Sequence, residues 1–246
     1  SRELKAEGKD VISLSLGEPD FFTPQFIKDA ALEAMNNNFT MYTPVSGYDD
    51  LREAICEKFE RDNGLKYTKD QIVVSTGAKQ SIANVVLSLI GNGDEVIIPE
   101  PFYANYNGFA VTAGLNVVPI ASSIESGFAL PPVEEFEKKI TSKTRAIVIC
   151  NPGNPTGYLY SKEELEQLAA IVKKHDLVLF ADEVYREFCY DGAVPFSVMN
   201  LEGIENNVIM IDSVSKRYSM CGARIGALIS KPTNRPSMPP LNPICR

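Results

Sequence analysis

Short, uninterrupted apolar runs alternate along this chain with amphipathic segments of helical length, and that alternation restricts the fold more than any other feature. The runs are QIVVS at 71–75, DEVIIP at 94–99, LNVVPI at 115–120, RAIVIC at 145–150, LVLFAD at 177–182, NVIMID at 207–212 and RIGALIS at 224–230. Between and before them, apolar residues three and four apart predict helices over 24–37, 48–63, 79–90, 103–113, 132–140 and 161–175. The last of these opens on Ser161 with Glu164 three residues on, a capping-box pattern. Several strands are apolar throughout rather than alternating, as expected where helices cover both sheet faces. The prediction is α/β: a three-layer α/β/α domain on a mostly parallel sheet. In such folds ligands bind at the carboxyl ends of the strands, so the residues following each run are where chemistry is sought.

Composition narrows the function classes. The chain has 246 residues, 44% hydrophobic and 23% charged, as in ordinary globular proteins. With 24 Lys and Arg against 32 Asp and Glu, its net charge is −8. An acidic surface repels phosphate backbones, which disfavours nucleic-acid binding and leaves room only for a local basic pocket. The five cysteines (Cys56, Cys150, Cys189, Cys221, Cys245) are odd in number, dispersed and never spaced CxxC. That usage predicts reduced thiols and a cytoplasmic protein. A single histidine, His175, argues against both a Cys/His metal site and a Ser-His-Asp hydrolase. The charged start SRELKAEGKD and the lack of an 18-residue apolar run predict neither a secretory signal nor a membrane span. Five of the sixteen prolines fall in the final stretch KPTNRPSMPPLNPICR, where no regular element is expected. The expected division is an N-terminal segment 1–45, a large domain 46–230 and an irregular tail 231–246, the last read from composition and the first two implied by the motif resemblance given below.

Four strand ends carry candidate chemistry. Thr76-Gly77-Ala78-Lys79 enters a helix whose first amides could hold a phosphate, although an ordinary strand–helix turn explains these residues equally well. Asn151-Pro152-Gly153-Asn154-Pro155-Thr156-Gly157 is a restricted loop suited to presenting an Asn amide to a ligand. Asp182 and Glu183 close a buried strand, with Tyr185 just beyond; a buried acid is costly unless a cation meets it. Ser213-Val214-Ser215-Lys216 places two hydroxyls beside an amine, and Arg224, at the start of the next strand, has a fork suited to phosphate. A surface lysine and a capped loop Asp are the plain structural alternatives.

Taken in order, Ser15-Leu16-Gly17-Glu18-Pro19-Asp20-Phe21, Tyr42-Thr43-Pro44-Val45-Ser46-Gly47, Asn151 to Gly157, Ala181-Asp182-Glu183-Val184-Tyr185 and Ser213 to Lys216 closely resemble the class I/II aminotransferases. These are fold-type I pyridoxal-phosphate enzymes of the aspartate aminotransferase superfamily, and the resemblance runs from about residue 10 to about residue 230.

The resemblance implies roles residue by residue. Lys216 is the Schiff-base lysine and proton shuttle, and Asp182 pairs with the cofactor's ring nitrogen. Tyr185 and Asn154 hydrogen-bond its phenolic oxygen, while Tyr103 stacks on the ring. Gly77, Ala78, Lys79, Ser213, Ser215 and Arg224 surround the phosphate. Gly17 and Asn154 lie toward the substrate, and Tyr42 reaches the neighbouring subunit of a homodimer. The implied reaction is ping-pong transfer of an amino group between an α-amino acid and a 2-oxo acid. A C–S β-lyase on the same scaffold, or a truncated chain without turnover, shares every motif quoted. Cys221 and Ala223 depart from the Thr and Trp that many relatives carry. Family members also continue well past Arg224, into a part that carries the arginine for the substrate carboxylate.

Overall fold

Each apolar run becomes a strand whose alternate residues enter two different cores. In the computed structural model, which describes residues 2–12 and 17–231, the strands are β1 (Ile72–Ser75), β2 (Glu95–Glu100), β3 (Asn116–Ala121), β4 (Thr144–Cys150), β5 (Val178–Asp182), β6 (Val208–Ser213) and β7 (Gly226–Ser230). They form one seven-stranded sheet in the order β1-β7-β6-β5-β4-β2-β3. Four neighbouring pairs are parallel, and β7 runs antiparallel to both β1 and β6.

The helices are α1 (Arg2–Ala6), α2 (Gln25–Asn36), α3 (Asp49–Asn63), α4 (Ala78–Leu89), α5 (Asn105–Ala113), α6 (Val133–Lys139), α7 (Lys162–His175) and α8 (Val214–Arg217). Ile147, Ile149, Leu179, Ala181 and Met210 join Phe59 of α3, Phe136 of α6 and Leu165 and Leu168 of α7 on one face. Ala146, Val148, Phe180, Ile209 and Ile211 join Ile82 and Val85 of α4 and Tyr106 and Ala110 of α5 on the other. Period-two alternation thus buries both sheet faces, and this is the three-layer arrangement expected from the apolar runs.

Local chemistry fixes the boundaries. Ser161 Oγ accepts the Glu164 N–H at 3.2 Å, and the Glu164 carboxylate accepts the Ser161 N–H at 2.7 Å, so the capping box forms at α7. Pro119 lies in the edge strand β3, where a missing N–H is tolerated. Pairing of β2 with β4 stops at Ile97↔Ile147, two residues short of Pro99. Every predicted strand and helix is present; α1 and the single-turn α8 are additions. One placement is corrected: β7 begins at Gly226, and Arg224 stands before it in a left-handed turn with φ +56°. The proline-rich stretch 232–246, Cys245, Ser15 and Leu16 lie outside the described residues.

Behind the carboxyl end of β5 is a buried ion pair. The Glu183 carboxylate is met by the Arg186 guanidinium, by Ser197 Oγ at 3.0 Å and by the Val198 N–H at 2.9 Å. Arg186 also reaches Asn63 Oδ1 of α3 at 3.1 Å and covers the Phe59 ring at 5.2 Å. Removing one partner of such a pair leaves an uncompensated buried charge. Arg186→Met is therefore expected to destabilise the fold by about 3 kcal/mol in urea denaturation; a change under about 1 kcal/mol would show that the pair is not load-sharing.

Candidate active site

Six strands (β1 to β6) run in the same direction and end at the same edge of the sheet, and β7 begins there because it is antiparallel. The register places Ser75, Gly226 and Ser213 side by side on β1, β7 and β6, with Asp182 opposite Ile211 on the next strand. Above this edge lies a cavity of about 540 Å³. Its wall includes Asp182, Lys216, Arg224, Asn154, Tyr185 and Tyr103, and Gly17, Ala78, Lys79, Ser213 and Ser215 also line it. Of the thirteen residues singled out from sequence, eleven therefore meet in one space. Gly77 adjoins it, and Tyr42 does not reach it: its side chain is fully exposed.

The β1–β7–β6 side is built to receive an anion. Gly77 has φ +87°, and a Cβ there would sit 2.2 Å from Arg224 Nη2. Gly226 is equally constrained, because a Cβ would lie 2.5 Å from the Gly77 carbonyl carbon and 2.6 Å from the Ala78 nitrogen. Two glycines thus let β7 close on the start of α4, which brings the guanidinium to the helix N-terminus. Gly77 supplies no side-chain cap, so the first amides of α4 keep their donor capacity. Ser213 Oγ lies 2.8 Å from Ser215 Oγ and 2.9 Å from the Ile225 carbonyl, and it accepts the Ser215 N–H at 3.1 Å. Arg224 is steadied by its Nη1 donating to the Cys221 carbonyl at 2.7 Å.

One strand further along sits the opposite charge. Asp182 is only 5% exposed, and among the described residues no Lys or Arg pairs with it. Its carboxylate accepts the Val184 N–H at 3.3 Å and the Tyr106 hydroxyl at 3.3 Å. Burial dominates these contacts and pushes its pKa up to about 6. The adjacent Glu183, flagged with it in the sequence, points instead into the Arg186 pair described above. Asn151 and Asn154 divide in the same way. Asn151 is buried, its Oδ1 accepting the Tyr160 N–H at 3.0 Å and its amide facing the Phe196 carbonyl, so it holds the loop, while Asn154 lines the cavity.

Lys216 lines the same cavity. Its amine donates to the Gly17 carbonyl and stands 5.6 Å from the Tyr185 ring centroid. Burial pushes the Tyr185 phenol up to about 12, so it remains a hydrogen-bond donor. Two residues that the sequence motifs do not mark support the site. Tyr106 is three residues after Tyr103 in a helical stretch, a spacing that puts both on one face, and their rings meet edge to face at 5.6 Å. Cys150 closes β4 with its thiol on the Pro152 carbonyl at 3.2 Å, and burial raises its pKa well above the usual thiol range. An anion pocket, a buried acid that no described Lys or Arg meets and an amine in the same cavity suit one bipolar ligand, anionic at one end and cationic at the other. Pyridoxal phosphate with a protonated ring nitrogen has that form, and the residues present fit it.

Similarity to known proteins agrees with this geometry. The family described as aminotransferase class I and II matches residues 9–238. An aspartate aminotransferase of Bacillus subtilis is 42% identical over 227 residues, covering 92% of this chain and 58% of that protein. An aspartate/prephenate aminotransferase of Nitrosomonas europaea is 43% identical over 225 residues, covering 91% of this chain and 56% of that protein. Among solved structures, the Thermus thermophilus aspartate aminotransferase with maleate superposes with a TM-score of 0.88 at 38% identity, over 93% of this chain and 59% of that one. The chain thus spans under three fifths of the length of these relatives, and within that span it has the fold-type I architecture. The chain belongs to the class I and II aminotransferase family.

Proposed function

We propose that this chain is the cofactor-binding portion of a pyridoxal-phosphate-dependent aminotransferase, moving an amino group between an α-amino acid and a 2-oxo acid. The observation that carries the reading is the buried Asp182 carboxylate without a cationic partner, in the same cavity as the Lys216 amine. Bound there, the cofactor supplies a carbonyl for an amine and an electron sink for cleavage of the substrate Cα–H bond. Asp182 would hold a proton on the ring nitrogen, which would make the ring electron-withdrawing. Ser213, Ser215, the first amides of α4, Lys79 and Arg224 hold the phosphate. Tyr185 and Asn154 would offer hydrogen-bond donors to the cofactor, and Tyr103 would offer it an aromatic surface. Lys216 would anchor the cofactor through its amine, and that amine, when free, would carry the proton taken from the substrate Cα.

A homodimer belongs to the same reading. None of the residues of α2 is buried, and Phe21, Phe22, Phe26, Phe39 and Met41 are each more than 60% exposed in the N-terminal segment. Apolar exposure on that scale marks a contact surface. Tyr42, fully exposed and away from its own cavity, is free to serve a partner's site. With no helix among the described residues long and apolar enough to cross a membrane, the reading is completed by a cytoplasmic location.

Three outcomes are expected. After incubation with pyridoxal phosphate and borohydride, peptide mapping should find the pyridoxyl group on Lys216; label scattered over surface lysines would contradict the site. Sedimentation should give a mass near twice 27.1 kDa, reduced toward the monomer by Phe22→Asp, and a wild-type monomer would remove the dimer. The third concerns Asp182. Its pKa is about 6 folded against 3.8 unfolded, so the native state holds the extra proton and stability falls as pH rises from about 4 to 6. Without cofactor, Asp182→Asn should therefore be more stable than wild type at pH 8 by about 2–3 kcal/mol, with the difference vanishing near pH 4. Its cofactor-dependent rate should fall by orders of magnitude, because the ring nitrogen loses its partner. A variant no more stable than wild type at pH 8 would show that the buried carboxylate carries no strain.

A further inference from the structure

Lys216 is carried by α8, a helix of four residues, and one turn of helix is too short to hold itself. Its start is capped by Ser213 Oγ on the Ser215 N–H, and the chain turns back after it through the Met220 N–H to the Ser215 carbonyl at 3.1 Å. What fixes its far side is the next residue. Arg217 is about 100° around the helix from Lys216 and faces away from the cavity, toward Leu51, Ile55 and Lys58 of α3. Its side chain is 5% exposed. The guanidinium hydrogen-bonds the buried Asp212 carboxylate at the end of β6, and its Nε lies 3.2 Å from Glu187 Oε1, an ion pair in which the Nε–H makes no hydrogen bond among the described residues. Asp212 also accepts the Ser213 N–H at 2.8 Å, and Glu187 also accepts from Lys58 Nζ at 3.2 Å.

These contacts join two loops that follow different strands. Glu187 is two residues beyond Tyr185, in tight turns closed by the Arg186 N–H to the Glu183 carbonyl at 3.1 Å and the Phe188 N–H to the Tyr185 carbonyl at 2.8 Å. Arg217 is one residue beyond Lys216. A single guanidinium therefore ties the segment that bears Tyr185 to the turn that bears Lys216, from the side opposite the cavity. We propose that Arg217 is a positioning residue for the site: by bridging Asp212 and Glu187 it sets the Lys216 amine against the Tyr185 ring. A planar guanidinium can hydrogen-bond Asp212 while holding its charge beside Glu187, which a single ammonium does less completely. The proposal rests on the reading of Lys216 as the cofactor's anchor.

The test compares wild type with Arg217→Met, Arg217→Lys and the double variant Asp212→Asn/Arg217→Met, which leaves neither charge buried alone. Each protein is loaded with pyridoxal phosphate, its long-wavelength absorbance is titrated against pH, and borohydride label on Lys216 is quantified. The double variant is expected to melt near wild type yet to shift the absorbance midpoint by ~0.5 unit or more, a change in local setting rather than in stability. Arg217→Met should shift likewise, and Arg217→Lys should recover part of the difference. A wild-type midpoint and label in the folded double variant would overturn the proposal. Should wild type itself carry no label on Lys216, the cofactor reading fails, and amide hydrogen exchange of the cofactor-free proteins decides the Arg217 bridge. Faster exchange at both 183–188 and 213–219 in the double variant, with α7 unchanged, upholds it; unchanged exchange at either segment overturns it.

Discussion

The close approach of Gly226 to the Gly77–Ala78 peptide is the contact on which the site depends. A strand inserted against the direction of its neighbours starts where they finish, and only a residue without a Cβ can start that close to the beginning of a helix. This one contact places a guanidinium, a pair of hydroxyls and the free amides of α4 on neighbouring strands. Any side chain at position 226 would push β7 away from α4 and separate these groups. The antiparallel strand is thus what converts an ordinary carboxyl edge into an anion pocket.

From there the charges follow the sheet order. Cationic and donor groups gather over β1, β7 and β6, and the acid occupies β5, one strand spacing of about 4.8 Å beyond β6. Strand order, rather than any single loop, separates the two ends of the cavity, and the buried sheet keeps that separation rigid. The loops then supply what the strands cannot: an aromatic face from Tyr103, an amide from Asn154, a phenol from Tyr185.

The layers and nearly all element boundaries were legible because uninterrupted apolar runs such as RAIVIC admit few placements other than a doubly covered strand. The site residues were legible through their positions just after those runs and through the motif resemblance. What the sequence could not separate were neighbours of like chemistry. Asp182 and Glu183 are adjacent acids, and which one meets an arginine depends on Arg186 folding back over Phe59, a tertiary event. Asn151 and Asn154 each precede proline, and only the packing of the loop decides that the former is saturated by backbone. RIGALIS reads as one run and so draws Arg224 into β7, whereas strand pairing starts at Gly226 and the arginine stands before it in a left-handed turn. Tyr106 was hidden inside a helix whose polar atom faces the back of the acid.

The buried carboxylate at the end of β5 also has a cellular meaning. A chain that keeps an ionised acid away from water and, among the described residues, from any Lys or Arg stores free energy in its empty state, which a cationic ligand would release on binding. Occupancy and folding are then one equilibrium, with the folded fraction rising as ligand concentration passes the dissociation constant. The amount of such a protein surviving proteolysis would track the supply of its ligand as well as the rate of its synthesis, so scarcity of the small molecule would be read out as scarcity of the protein.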